Sequence, residues 1–187
     1  VDCRKHGGLD LSKPLELLAA TACLIAGMVC TNVVPTHAEI IGQWFSPHGG
    51  CTAAIVEQCD KARKSIDYQM YSFTSRPISE ALQRAHQRGV KVTLLLDAKS
   101  TKQEVSQADD CAKAGLSVFL DAQHAIAHNK TRIFDGKRVM FGSFNDSSGA
   151  EERNAEALVL EDDPKVVDRF AENFKQHLQH STRMEIK

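Results

Sequence analysis

RPISEALQRAHQRGVKVTLLLD, residues 76–97, changes its hydrophobic period halfway along. Pro77 suits a first helical turn, and Ile78, Leu82 and Ala85 recur at helical spacing up to a stop at Gly89. Val90–Leu96 is then a dense apolar run of strand length. With so few polar positions it cannot turn one face to water, so it reads as a strand buried on both faces. Such a strand needs helices above and below it. The fold class expected is therefore α/β, a mixed β-sheet flanked by helices on both faces.

The same alternation extends in both directions. Upstream, Ser65–Tyr71 reads as a strand, and Thr52–Lys64 as a helix carrying Ala54, Ile55, Cys59 and Ala62 inward. Glu39–Phe45 is a further strand, followed by a loop over 46–50. Downstream come a helix over Lys102–Ala114, a strand over Leu116–Leu120, and a hairpin of Lys130–Phe134 with Arg138–Phe141, turning at Asp135-Gly136. Glu156–Leu160 is the last expected strand and Pro164–Gln179 the closing helix. No internal repeat interrupts this pattern.

A chain of 187 residues has room for one domain, and 42% hydrophobic with 25% charged residues and 5 prolines argues against disorder. The net charge is -1, and residues 1–38 carry three charges of each sign, so the balance holds with or without them. No general affinity for polyanions follows, and any nucleic-acid contact must be local. The basic groups at Lys61–Lys64 and Arg84–Lys91 read as solvated helix faces.

Residues 1–38 differ in character. Arg4, Lys5 and Lys13 precede the apolar stretch Leu17–Val34, after which come Pro35 and the small residues Thr36 and Ala38. That order matches a signal peptide cut after Ala38, leaving residues 39–187 as an exported, periplasmic or secreted domain without stable membrane association. An uncleaved anchor is the alternative, since the stretch approaches the ~17–25 residues that span a bilayer. Of 6 cysteines, Cys51, Cys59 and Cys111 lie beyond this segment. Cys51 and Cys59 share a helix at about 12 Å, too far for a bridge. Either Cys111 pairs with one of them or all three are buried thiols.

The chemistry concentrates in HAIAHNKTRIFDGKRVMFGSFNDSS, His124–Ser148. On an extended strand His128 and Lys130 project to one side. An ammonium repels a cation but suits a phosphate: lysine supplies charge and hydrogen bonds, while imidazole can attack phosphorus or donate a proton. Gly142 permits close backbone approach, and Ser143 and Asn145, again two apart, add polar groups. His124 reads as a rim or substrate-contacting residue, and His48 as an exposed loop residue. His86 reads as lying on a polar helix face, and His177 and His180 as favouring the dipole of the last helix. Tyr68, Met70 and Phe73 read as core.

The spacing H-x-K-x(4)-D-x(6)-G-S, met by His128, Lys130, Asp135, Gly142 and Ser143 and followed by Asn145, resembles the signature of the phospholipase D superfamily. WFSPHGG, SIDYQMYSFTS and RGVKVTLLLD are similar to its small single-motif bacterial endonucleases, and Asn154-Ala155-Glu156 to its Asn-x-Glu element. Asp146, where an aromatic is usual, and Ala157, in place of a frequent Asn, depart from the pattern. The resemblance implies His128 as nucleophile, Lys130, Ser143 and Asn145 as phosphate ligands, and Asp135 as part of the signature with a structural role open. It implies Glu156 as acceptor of a hydrogen bond from the His128 ring. It further implies metal-independent phosphodiester hydrolysis without a cofactor, through a phosphohistidine. A low-specificity endonuclease on DNA, with RNA as a second nucleic-acid substrate, is the leading expectation. A phospholipase D acting on phospholipid is the alternative, and a non-catalytic nucleic-acid-binding protein a third. Because the reaction needs a second histidine as general acid, one motif per chain implies a homodimer sharing one active site.

Overall fold

The computed structural model describes residues 40–186, so the expected signal segment lies outside the described residues. Within them the strands are β1 (Gly42–Ser46), β2 (Ser65–Met70), β3 (Lys91–Asp97), β4 (Ser117–Asp121), β5 (Thr131–Phe134), β6 (Arg138–Gly142), β7 (Glu156–Glu161) and β8 (Thr182–Arg183). The helices are α1 (Cys51–Lys61), α2 (Arg76–Gln87), α3 (Ala108–Lys113), α4 (Ser148–Glu152) and α5 (Pro164–Gln179). One sheet takes the order β1-β7-β6-β5-β2-β3-β4-β8. Neighbours β2, β3 and β4 run parallel, and every other pairing is antiparallel.

The sheet is mixed and covered on both faces. On one side Ile55, Cys59, Ile78, Leu82 and Ala85 of α1 and α2 pack on Ile66, Tyr68, Val92, Leu94, Leu96 and Met140. On the other, Val167 and Phe174 of α5 meet Leu95, Ile133 and Val139. Strand β3 is buried from Val92 through Asp97, which is why its sequence does not alternate. The hairpin turns where the residues predict: Asp135 and Gly136 both take positive φ, 57° and 63°, as the two central residues of a tight turn between twisted strands must.

Two expectations are corrected. The segment predicted as a helix over Lys102–Ala114 is helical only from Ala108, after a short 3₁₀ turn at Ser100–Lys102. The Gln107 amide leaves helical geometry to donate to the Phe73 carbonyl at 2.9 Å, a tertiary bond that outweighs local propensity. The strand expected near His128 begins at Thr131, because Asp97 and the folded-back Lys130 side chain satisfy the preceding residues instead of a ladder. Helix α4 and strand β8 were not foreseen. The cysteine alternatives resolve to thiols: Cys51, Cys59 and Cys111 are buried and unbridged, and burial pushes Cys51 and Cys111 up to about 11.

Candidate active site

The site residues gather at one end of the sheet for topological reasons. The start of β5, the end of β6 and the start of β7 lie side by side, since Thr131 pairs with Phe141 and Gly142 with Leu158. The end of β2 joins them through the Gln69–Thr131 pair. Lys130, Ser143 and Glu156 therefore sit at neighbouring strand ends, with Tyr71 beside them. Gly142 is needed there: a Cβ at that position would stand 2.1 Å from the Ala157 carbonyl oxygen of β7. The Ser143 amide then donates to that oxygen at 3.0 Å, and the Ser143 hydroxyl accepts from the Ala157 amide at 3.1 Å.

His128 is exposed, and its ring packs against Tyr71 with centroids 4.8 Å apart. Lys130 is 6% exposed, with Nζ 5.4 Å from the centre of the same tyrosine ring and donating to the His128 carbonyl at 2.7 Å. The side chains are thus paired through Tyr71 and the backbone, not by the simple strand alternation the residues suggested. Burial lowers the Lys130 pKa to about 8, against the opposing pull of the Glu156 carboxylate, while Arg132 adds to the lowering. An ammonium so little hydrated interacts strongly with any anion that reaches it.

Asn145 is held by its side-chain oxygen, which accepts from the Ser72 amide at 3.4 Å, leaving its amide nitrogen for a ligand. Behind it lies a buried network. Arg132 and Asp146, both 0% exposed, form an ion pair; Arg132 also donates to the Tyr68 hydroxyl at 3.0 Å and the Phe144 carbonyl at 3.0 Å. Tyr68 completes it by donating to Asp146 at 2.5 Å. Burial alone pushes the Asp146 carboxyl up, and the guanidinium and phenol act against that. The backbone of Asp146 binds the Thr74 and Ser75 amides, both at 2.8 Å, so the pair locks the Ser143–Asn145 segment to the loop after β2. Asp146 thus departs from the family pattern to meet a charge beneath the site.

Asp135 is not brought to this site. It lies at the far end of β5, seven residues and about 20 Å of extended chain from His128. Its carboxylate accepts from the amides of Arg63, Lys64 and Ser65 at 2.7–3.1 Å. Burial would raise its pKa, but these amides outweigh it and hold the group below the usual carboxylate range. The catalytic role admitted for Asp135 gives way to a structural one. The implied Glu156–His128 hydrogen bond is likewise not made within the chain: Glu156 accepts from Asn154 at 3.1 Å, and among the described residues no side chain bonds the His128 ring.

Sequence reading missed Tyr71, Arg132 and its pairing with Asp146, and two buried aspartates. Asp97 accepts from the amides of Lys99, Ser100 and Ala127 at 2.7–2.9 Å and so anchors the loop leading to His128. Asp121 gathers His124, His177 and His180, and the latter pair therefore do more than favour a helix dipole. His48 is exposed, as expected. No helix of the described residues is long and apolar enough to cross a membrane.

Residues 55–178 match the family model described as cardiolipin synthase, PLD-like domain. The chain is 42% identical over 130 residues to a Rickettsia prowazekii protein named phospholipase D, covering 70% of this chain and 63% of that one. The human mitochondrial cardiolipin hydrolase is 31% identical over 130 residues, which cover 69% of this chain and 52% of the relative. The chain thus spans less than two-thirds of the length of either. Among solved structures, the phospholipase D family member Nuc from Salmonella typhimurium shares 30% identity at a TM-score of 0.74, covering 77% of this chain and 97% of that one. With the fold, the strand-end constellation and the family match in agreement, the chain belongs to the phospholipase D superfamily.

Proposed function

We propose that this chain is a phosphodiesterase, and that it acts as a low-specificity endonuclease on DNA, with RNA as a second nucleic-acid substrate. The observation that carries the reading is the exposed His128 ring packed on Tyr71, with the buried Lys130 ammonium near that same tyrosine and donors to spare. A ring nitrogen of His128 attacks phosphorus, the bond to the leaving oxygen breaks, and that oxygen takes a proton. Lys130 and Asn145 hold the non-bridging oxygens, and Ser143 supplies a further hydroxyl. Water then attacks the phosphohistidine and frees the ring. One chain carries one such histidine, so the proton donor comes from His128 of a second copy in a two-fold dimer. In that dimer the Glu156 carboxylate, which does not bond its own His128, orients the histidine of the second copy. Residues 1–38 would direct the domain to the periplasm or beyond.

A phospholipid substrate is the second reading. The rickettsial relative's name favours it, as does a largely apolar hollow of about 400 Å³ beside the motif, lined by Asn129, Val166, Arg169, Phe170 and Asn173. The full chain assayed side by side on plasmid DNA, RNA and phosphatidylcholine vesicles, with EDTA present, separates them. Nicking of DNA in EDTA, without choline release, is the expected result. Choline release without cleavage of either nucleic acid would overturn the nuclease reading.

A further inference from the structure

Outside the strand-end site, one cluster of side chains has no part in the chemistry above. Asp121 ends β4, His124 follows in the loop, His177 lies in the last turn of α5 and His180 just after it. The Asp121 carboxylate is fully buried, while the three imidazoles remain partly open to solvent. Asp121 Oδ2 stands 3.0 Å from His124 Nδ1, 3.2 Å from His177 Nδ1 and 3.3 Å from His180 Nε2. One candidate ligand atom from each of the four residues lies within 4.8 Å of the other three.

We propose that Asp121, His124, His177 and His180 form a structural site for one divalent transition-metal ion of the zinc type. With zinc–ligand bonds of about 2.0–2.1 Å, the corners of a tetrahedron stand about 3.3–3.4 Å apart. The carboxylate-to-imidazole edges are already close to that length, and only the imidazole-to-imidazole edges must contract, by side-chain rotation. Three imidazoles and one carboxylate suit zinc and its neighbours, not magnesium or calcium, which take oxygen cages. A hydrogen-bonded cluster alone would satisfy one carboxylate with fewer rings. Here three rings from two elements converge on a single oxygen.

The surroundings support a ligand set. The second carboxylate oxygen of Asp121 accepts from the Gln123 amide at 3.0 Å, and its carbonyl accepts from Ala98 at 3.0 Å, which fixes the group's orientation. The spacing repeats: Asp121-x-x-His124 at the strand end and His177-x-x-His180 at the helix end. A bound ion ties α5 to the loop that reaches His128 four residues after His124. The ion's role is thus to hold the nucleophile's loop, with no step in the reaction.

The test uses the full chain, stripped with chelator and then titrated with zinc alone. Metal content and melting temperature are read without substrate, so the outcome is independent of the phosphodiesterase reading. The expected result is one zinc per chain and a melting temperature raised by several degrees. Both effects should vanish in a His177→Ala/His180→Ala variant and persist in His86→Ala. If the double variant does not fold, His180→Gln should still bind zinc at least about tenfold more weakly than wild type. Wild-type protein that takes up less than about 0.2 zinc per chain under conditions where a one-site tetrahedral centre would fill, or variants that bind as wild type does, would overturn the site. Metal-free protein held below its melting temperature should keep its cleavage activity, and complete loss there would make the ion catalytic instead of structural.

Discussion

At the turn end of the β5–β6 hairpin, Asp135 gives both carboxylate oxygens to the amides of Arg63, Lys64 and Ser65. At the open end, His128, Lys130, Ser143 and Asn145 each keep hydrogen-bonding capacity in hand. Lys130 uses one of three donors on the His128 carbonyl, Asn145 uses only its oxygen, and Ser143 has yet to donate. Five residues of one sequence signature thus serve opposite ends. A polar group saturated by backbone is building the fold, whereas one held in place with capacity unspent is ready for a ligand.

The largest break of that comparison comes from the open end. If its ammonium acts on the phosphoryl group as proposed, Lys130→Ala should lower turnover by about 10³-fold while the melting temperature moves by only a few degrees. Kinetics and thermal melts on the same preparation check both halves. The pH profile sharpens the claim. Burial sets the Lys130 pKa at about 8, so the charged form is present below that value and lost above it. The specificity constant kcat/KM should fall as pH rises through about 8. Because the Glu156 carboxylate raises that pKa, Glu156→Gln should move the falling limb to lower pH. A limb unmoved by the substitution would detach Lys130 from the profile.

At the turn end the expectation reverses and shrinks. Asp135→Ala should cost about 1–2 kcal/mol of stability, as loss of an exposed backbone-capping carboxylate does, and leave turnover within about threefold. The folded pKa of Asp135 is held below its unfolded value. Its stabilisation is therefore present above the ordinary carboxylate range and lost as pH falls through the depressed value. Denaturant melts of wild type and variant should converge in acid. A thousandfold loss of turnover in a folded Asp135→Ala protein would return Asp135 to the chemistry.

How much of this was legible follows the same division. Helix–strand alternation around Gly89, the Asp135-Gly136 turn and the limits Pro164–Gln179 of α5 rest on local spacing, and the structure has them there. Long-range pairings left no local trace. Nothing local marks Arg132 for burial, and its partner Asp146, fourteen residues on, meets it in the core. Asp121 gives no sign of His177 and His180, 56 and 59 residues away. Lys130 is charged and buried, and the Tyr71 ring, the His128 carbonyl and the Glu156 carboxylate make that tenable. The strand expected over Ser65–Tyr71 is legible in the sequence and ends at Met70, but its arrival beside β5 is not legible there.

The most direct test of the central claim is a search for the covalent adduct on His128. Enzyme mixed with excess DNA and quenched rapidly without acid should carry a phosphate-linked adduct on His128, stable in base and labile in acid, seen by mass spectrometry of the digested protein. His128→Ala protein should show no adduct and should lose at least about 10³-fold in turnover, as removal of a nucleophile does. An unmodified His128 in wild type, together with near-normal cleavage by His128→Ala, would contradict the account.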